Sequence, residues 1–175
     1  FYDDTIELLE TISRQKSVRG RFEKIKSNSG VYGIIDYAHT PDAVKNVLAT
    51  IDQMRTGNEK LITIIGAGGN RDKSKRPLMA SAACEYSDVV VFTSDNPRNE
   101  IPSIIIEDMR EGIPATFKGK EITIESREEA IKTACLLADK DDIILVAGKG
   151  LETYQEVNGV RSHFDDREIL LKYLK

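Results

Sequence analysis

Tryptophan is absent from this 175-residue chain, cysteine occurs twice, and aromatic residues make up only 6% of it. Two cysteines are too few for a small secreted scaffold held by several disulfides. Cys84 and Cys135 both sit in apolar, helix-like stretches, so reduced and buried thiols of a cytosolic protein are expected. Long apolar runs are missing too. The longest, such as residues 88–92 and 143–147, are about strand length and far too short to cross a bilayer as a helix. No segment reads as a signal peptide. There is no excess of positive charge: the formal net charge of −4 excludes a global basic field for nucleic acid or an acidic membrane, though local clusters can still bind anions. Neither a G-x-x-x-x-G-K-[S/T] phosphate loop nor a complete G-x-G-x-x-G fingerprint occurs, because the third glycine of the latter falls at Arg71. No metal-cage spacing and no Ser/His/Asp or Cys/His nucleophile arrangement is visible, so no metal ligand is expected in this chain. The chain opens on Phe1 rather than Met, which suggests a piece of something longer.

What is present is the profile of one globular domain, with 40% apolar and 31% charged residues. Residues 5–15 carry near-helical apolar spacing at Ile6, Leu8, Leu9 and Ile12. A basic linker follows over 16–21. A hairpin is expected next, with Phe22 and Ile25 on one arm, a turn at 27–30, and residues 31–36 as the other arm. Strand-like runs then alternate with helix-like ones. The strands are 61–65, 88–93, 121–125 and 142–147; the helices are 41–55, 77–86, 102–111, 126–138 and 166–174. Pro41 and Pro102 stand at helix starts, and Ser126 with Glu129 has capping-box spacing. This alternation predicts an α/β, Rossmann-like, mainly parallel sheet with helices on both faces, plus the N-terminal hairpin.

Ligands of such sheets bind beyond the C-terminal ends of the strands. Four strand ends here carry unusual polar loops. Asp36 and His39 follow the first; they suit a sugar hydroxyl or a phosphate, or else form a helix cap beside a surface histidine. Gly66-Ala67-Gly68-Gly69 follows the second, with Arg71, Lys73, Lys75 and Arg76 as a cluster suited to an anion. Asp95-Asn96-Pro97-Arg98 follows the third. Asp95 could meet an ammonium and Arg98 a carboxylate, with Pro97 stiffening the loop; the plain alternative is a turn capping the next helix. Gly148-Lys149-Gly150-Leu151-Glu152 follows the fourth, where Glu152 offers a second ammonium acceptor. His163 lies away from these clusters and reads as a surface or packing residue.

Six segments come in the order found in the Mur ligases: Gly20-Arg21-Phe22-Glu23, residues 36–41, Gly68-Gly69-Asn70-Arg71-Asp72-Lys73, Arg76-Pro77-Leu78-Met79, residues 95–98 and residues 148–152. From about residue 17 to its end the chain resembles the C-terminal domain of that family, in its meso-diaminopimelate-adding branch. The resemblance implies an ATP-dependent, amide-forming ligase of the bacterial cytoplasm, acting in peptidoglycan precursor synthesis. It implies that Arg71, Asp95, Asn96, Pro97, Arg98, Gly148 and Glu152 bind diaminopimelate, that Arg21, Asp36 and His39 contact ATP, and that Lys73 is tied to activity. Residues 1–16 would be the tail of a central ATPase domain. ATP and Mg2+ would be held mainly by that domain, outside this chain, and the partners would be UDP-N-acetylmuramoyl dipeptide and the enzyme's own N-terminal and central domains. Leu151 stands where the family usually has histidine. A lysine-adding ligase or a folylpolyglutamate synthetase is the neighbouring alternative, against which Arg98 argues; a non-catalytic anion-binding module is the other.

Overall fold

Strand–helix alternation does build one sheet in the computed structural model, which describes residues 18–174. The helix expected over 5–15, and with it the assignment of residues 1–16, lies outside the described residues. The first hairpin pairs β1 (Glu23–Lys26) with β2 (Tyr32–Asp36) in antiparallel register, Glu23 opposite Ile35. The Ser27 hydroxyl accepts from the Val31 amide at 2.9 Å and closes its turn. β3 (Leu61–Ile65), β4 (Val89–Phe92), β5 (Glu121–Thr123) and β6 (Ile143–Ala147) follow. The strand order is β1-β2-β6-β3-β4-β5, and every pairing except β1 with β2 is parallel. β6 therefore enters between β2 and β3, so the loops after β2, β3, β4 and β6 emerge from neighbouring strand ends.

Five α-helices cover the sheet among the described residues: α1 (Pro41–Met54), α2 (Lys75–Tyr86), α3 (Pro102–Arg110), α4 (Arg127–Leu137) and α5 (Asp166–Tyr173). β3 shows why both faces must be covered. All five of its residues are buried; Leu61 and Ile65 join the core under α1, α2 and α3, while Ile62 and Ile64 join the core under α4 and α5. Alternation along a strand sends neighbours to opposite faces. α1 answers with Val44, Val47, Leu48 and Ile51 on one stripe, each worth about 1.5–3 kcal/mol when fully buried. The one polar residue of β3, Thr63, is satisfied by the Ser87 hydroxyl at 2.7 Å.

The helix starts follow local chemistry. Thr40 accepts from the Ala43 amide and Pro41 opens α1. α2 opens at Lys75, two residues before the expected Pro77. Pro77 still falls in the first turn, where a missing N–H loses no helical bond. At α4 only half of the expected capping box forms: Ser126 accepts from the Glu129 amide, but the Glu129 carboxylate pairs with Lys132 instead. One element was not expected at all. Residues 154–163 form a second hairpin, β7 (Tyr154–Val157) against β8 (Val160–His163), around an Asn158-Gly159 turn with φ +50° and +74°. His163 is exposed on β8, 2.7 Å from Glu168. Cys84 is buried on α2 and Cys135 is half-buried on α4, under opposite faces of the sheet. Burial pushes these free thiols up to about 12 and about 11, which leaves them inert.

Candidate functional site

The four strand-end loops enclose a cavity of about 620 Å³ lined by Arg71, Asp95, Asn96, Arg98, Gly148 and Glu152 from the expected amino-acid set and by His39 from the expected ATP set. Close backbone packing makes this possible. A Cβ on Gly69 would stand 1.9 Å from the Pro97 carbonyl oxygen, and the Gly69 amide donates to the Asn96 carbonyl at 2.9 Å. Pro97 is thus buried behind the cavity rather than lining it. The plain alternative for this loop fails: α3 takes Ile101 as its N-cap and receives no side-chain cap.

Four arginines surround the site in two different states. Arg76 is buried and bound to Glu100 at 2.9 and 3.0 Å and to Asp108 at 2.7 Å. It therefore does not belong to the open anion-binding cluster expected from the sequence; it fastens the glycine loop to α3. Arg127, fully buried, forms a two-pronged pair with Asp166 at 2.7 and 2.8 Å and donates to the Ala147 carbonyl at 3.0 Å. Burial pulls its pKa down, but Asp166 outweighs that and leaves it raised. Arg71 and Arg98 differ. Arg98 donates to the Gly69 carbonyl at 2.8 Å, and among the described residues no carboxylate pairs with either guanidinium. A Cβ on Gly68 would lie 2.9 Å from the Arg98 guanidinium and 3.6 Å from Arg71 Cγ, so the two arginines flank that glycine. Arg98 itself sits at φ +53°, held by β7 through its amide to the Glu156 carbonyl (3.0 Å) and its carbonyl from the Asn158 amide (2.7 Å).

The acidic side is as selective. Asp95 Oδ1 accepts from the Asn96 amide at 2.7 Å, whereas no donor among the described residues reaches Oδ2. Gly148 makes room for that oxygen, since its Cβ would lie 2.7 Å away and its φ is +118°. Glu152 Oε2 accepts from Asn96 Nδ2 at 2.9 Å and Lys149 Nζ at 3.4 Å; Oε1 has no partner among the described residues. Two open acceptors and two unpaired guanidiniums on one cavity match a small molecule bearing both ammonium and carboxylate groups. Nothing in the sequence marks the buried Lys149, Arg127 and Asp166. A lysine between two glycines and an arginine in a helix's first turn carry no pattern that marks them as buried.

Along the rim runs a second cluster. The exposed Arg21 guanidinium lies 5.5 Å over the Tyr37 ring, and His39 meets that ring edge-on at 4.5 Å while its Nδ1–H donates to the Tyr37 carbonyl. Stacking rings and a cation suit a nucleotide's base and phosphates. Asp36 is engaged elsewhere: its two oxygens accept from the Phe22 and Ala38 amides at 2.8 Å each. Lys73 is exposed outside the cavity, 3.3 Å from Glu100. Among the described residues no group of three His, Cys, Asp or Glu side chains could hold a metal ion.

This geometry has close relatives. A curated protein of Bacteroides thetaiotaomicron named UDP-N-acetylmuramoyl-L-alanyl-D-glutamate–2,6-diaminopimelate ligase is 55% identical over 164 residues, covering 94% of this chain and 34% of its own length. One of the same name from Phocaeicola vulgatus is 53% identical over 166 residues, covering 95% and 34%. A solved structure of a ligase of that name superimposes with a TM-score of 0.82 at 41% identity, over 95% of this chain and 34% of the other. The chain spans about a third of the length of the relatives it matches. The family model described as the Mur ligase, glutamate ligase domain, matches residues 20–150, and on that match and these identities the chain belongs to the Mur ligase family.

Proposed function

We propose that this chain is the C-terminal, amino-acid-binding domain of a UDP-N-acetylmuramoyl-L-alanyl-D-glutamate:meso-2,6-diaminopimelate ligase, an ATP-dependent enzyme of peptidoglycan precursor synthesis. The observation that carries the reading is the pairing, on one cavity, of unpaired Arg71 and Arg98 with the open oxygens of Asp95 and Glu152. Arg98 takes the carboxylate at the distal, D-configured end of the diaminopimelate, and Asp95 and Glu152 take its ammonium. Arg21 and His39 form one wall of an ATP site whose phosphate cradle and magnesium ligands belong to the rest of the enzyme. ATP, when bound, would supply a phosphoryl group to the D-glutamate side-chain carboxylate with release of ADP, and phosphate would leave from the acyl carbon as the amide forms. The pocket orients the incoming amine toward that carbon, and closure against the central domain excludes the water that would hydrolyse it.

Such an enzyme acts in the bacterial cytoplasm, where its nucleotide-linked dipeptide partner is made. Among the described residues no helix is long and apolar enough to cross a membrane. A lysine acceptor fits less well, because it lacks the distal carboxylate and would leave Arg98 facing nothing. A non-catalytic anion module would not need Asp95 and Glu152 opposite the cations.

In the complete enzyme, Arg98→Ala is expected to raise KM for meso-diaminopimelate by about 100-fold, the loss of a charged hydrogen-bonded pair, with KM for ATP unchanged. Steady-state kinetics with each substrate varied in turn reads this directly. Equal damage to both constants would defeat the pocket assignment.

A further inference from the structure

We infer that Lys149 is a positioning residue that sets the donor and acceptor layout of the amino-acid pocket by locking the Asn96 amide in one orientation; this rests on the amino-acid-site reading above. Lys149 is fully buried among polar partners. Its ammonium lies 2.9 Å from Asn96 Oδ1, 3.4 Å from Glu152 Oε2 and 5.6 Å from the centre of the Tyr154 ring. Three hydrogens thus meet an amide oxygen, a carboxylate oxygen and an aromatic face.

The two ends of a carboxamide look alike in shape, so only neighbours can fix which is which. Here they do so without ambiguity. The Glu156 backbone amide, which can only donate, stands 3.0 Å from Asn96 Oδ1, beside the Lys149 ammonium, which also only donates. The Glu152 carboxylate, which can only accept, stands 2.9 Å from Asn96 Nδ2. Turning the amide over would set NH2 against two donors and oxygen against a carboxylate, losing all three bonds. Asn96 therefore keeps its carbonyl away from any ligand.

One Nδ2 hydrogen goes to Glu152, and the other is what Asn96 can offer to the cavity it lines. Asn96 then greets a carboxylate and cannot accept from an ammonium. That group is left to Asp95 Oδ2 and Glu152 Oε1. A carboxylate and an ammonium on one carbon are read from fixed, different sides, which distinguishes the two configurations at that carbon. Lys149 supplies one of the two bonds to Asn96 Oδ1 and the only cationic one, so discrimination of stereoisomers, rather than binding alone, weakens when it is lost.

The test uses the complete enzyme and its kcat/KM for meso- and LL-diaminopimelate. The wild type is expected to favour the meso isomer. Lys149→Met keeps the length of the side chain but leaves Glu156 as the lone donor to Asn96 Oδ1. The meso-to-LL ratio is expected to fall about tenfold, the worth of one charge-assisted hydrogen bond, while KM for ATP stays unchanged. A purely structural role would lower activity toward both isomers and leave their ratio intact, and that result would overturn the inference. If the variant does not fold, side-chain amide NMR of the wild type decides. One Asn96 Nδ2 proton should be protected from exchange, and the other should shift on adding meso-diaminopimelate. An amide whose two protons ignore a diaminopimelate that the enzyme does use sinks the role of Lys149 alone. A wild type that does not use diaminopimelate sinks the functional reading first.

Discussion

Four arginines within reach of the same strand ends, Arg71, Arg76, Arg98 and Arg127, are chemically identical in the sequence and have two fates in the fold. Arg76 and Arg127 are buried with carboxylates aligned to their planar forks, so their charge is consumed by structure. Arg71 and Arg98 keep theirs for whatever enters the cavity. The motif order made Asp95, Arg98 and Glu152 legible as a set, but nothing local to Arg76 or Arg127 told them apart from the other two. Partner identity depends on residues such as Asp108 and Asp166, 32 and 39 positions away. At this scale Gly148 is a constrained position on the cavity wall. Gly148→Ala forces a Cβ to 2.7 Å from Asp95 Oδ2 at a φ that side chains rarely adopt. A loss of about 1–3 kcal/mol is expected from strain and crowding, measured by urea unfolding of the complete enzyme. Affinity for diaminopimelate should fall with it, because the displaced oxygen is an open acceptor.

Elements were legible where periodicity and end signals agreed. The parallel strands read as short buried runs, and α1 and α4 started at Thr40 and Ser126 as their caps predict. The β7–β8 hairpin carries a strong turn signal at Asn158-Gly159 but no apolar alternation, because β7 is only half-buried and Val160 to His163 are all exposed. Its role is tertiary: β7 runs beside residues 95–98 and holds Arg98 and Asn96 by backbone bonds. α4 and α5 are joined in the same way by the Arg127–Asp166 pair, which also ties both helices to the end of β6 through the Ala147 carbonyl. Arg127→Met strands the Asp166 carboxylate in a buried place. A destabilisation of about 3–5 kcal/mol is expected, partly recovered in the Arg127→Met/Asp166→Leu double variant, as chemical denaturation of the three proteins would report. Additive losses would show that the two side chains act independently.

For the whole molecule, acid stability depends on how the glycine loop is fastened. Arg76 above all, helped by the Asn70 amide and Lys73, holds the Glu100 carboxyl at about 2, below its ordinary 4.5. The folded value is the lower one, so the unfolded chain takes up this proton first. The stabilisation is complete above about pH 4.5 and is lost as pH falls toward 2. The gap in melting temperature between the wild type and Arg76→Met is therefore expected to narrow over that window, which thermal scans at pH 7, 4 and 2.5 would show. A gap that stays constant would mean Glu100 titrates alike in both states. Sequence alone determined the α/β class, the succession of the six sheet strands and the five helices that cover them, and the family, because hydrophobic period, caps and motif order are local or strictly linear properties. Tertiary structure alone decided which charges are free. Insertion of β6 between β2 and β3 brings four distant loops together, and only that juxtaposition pairs some arginines with buried carboxylates and leaves Arg71 and Arg98 facing open space.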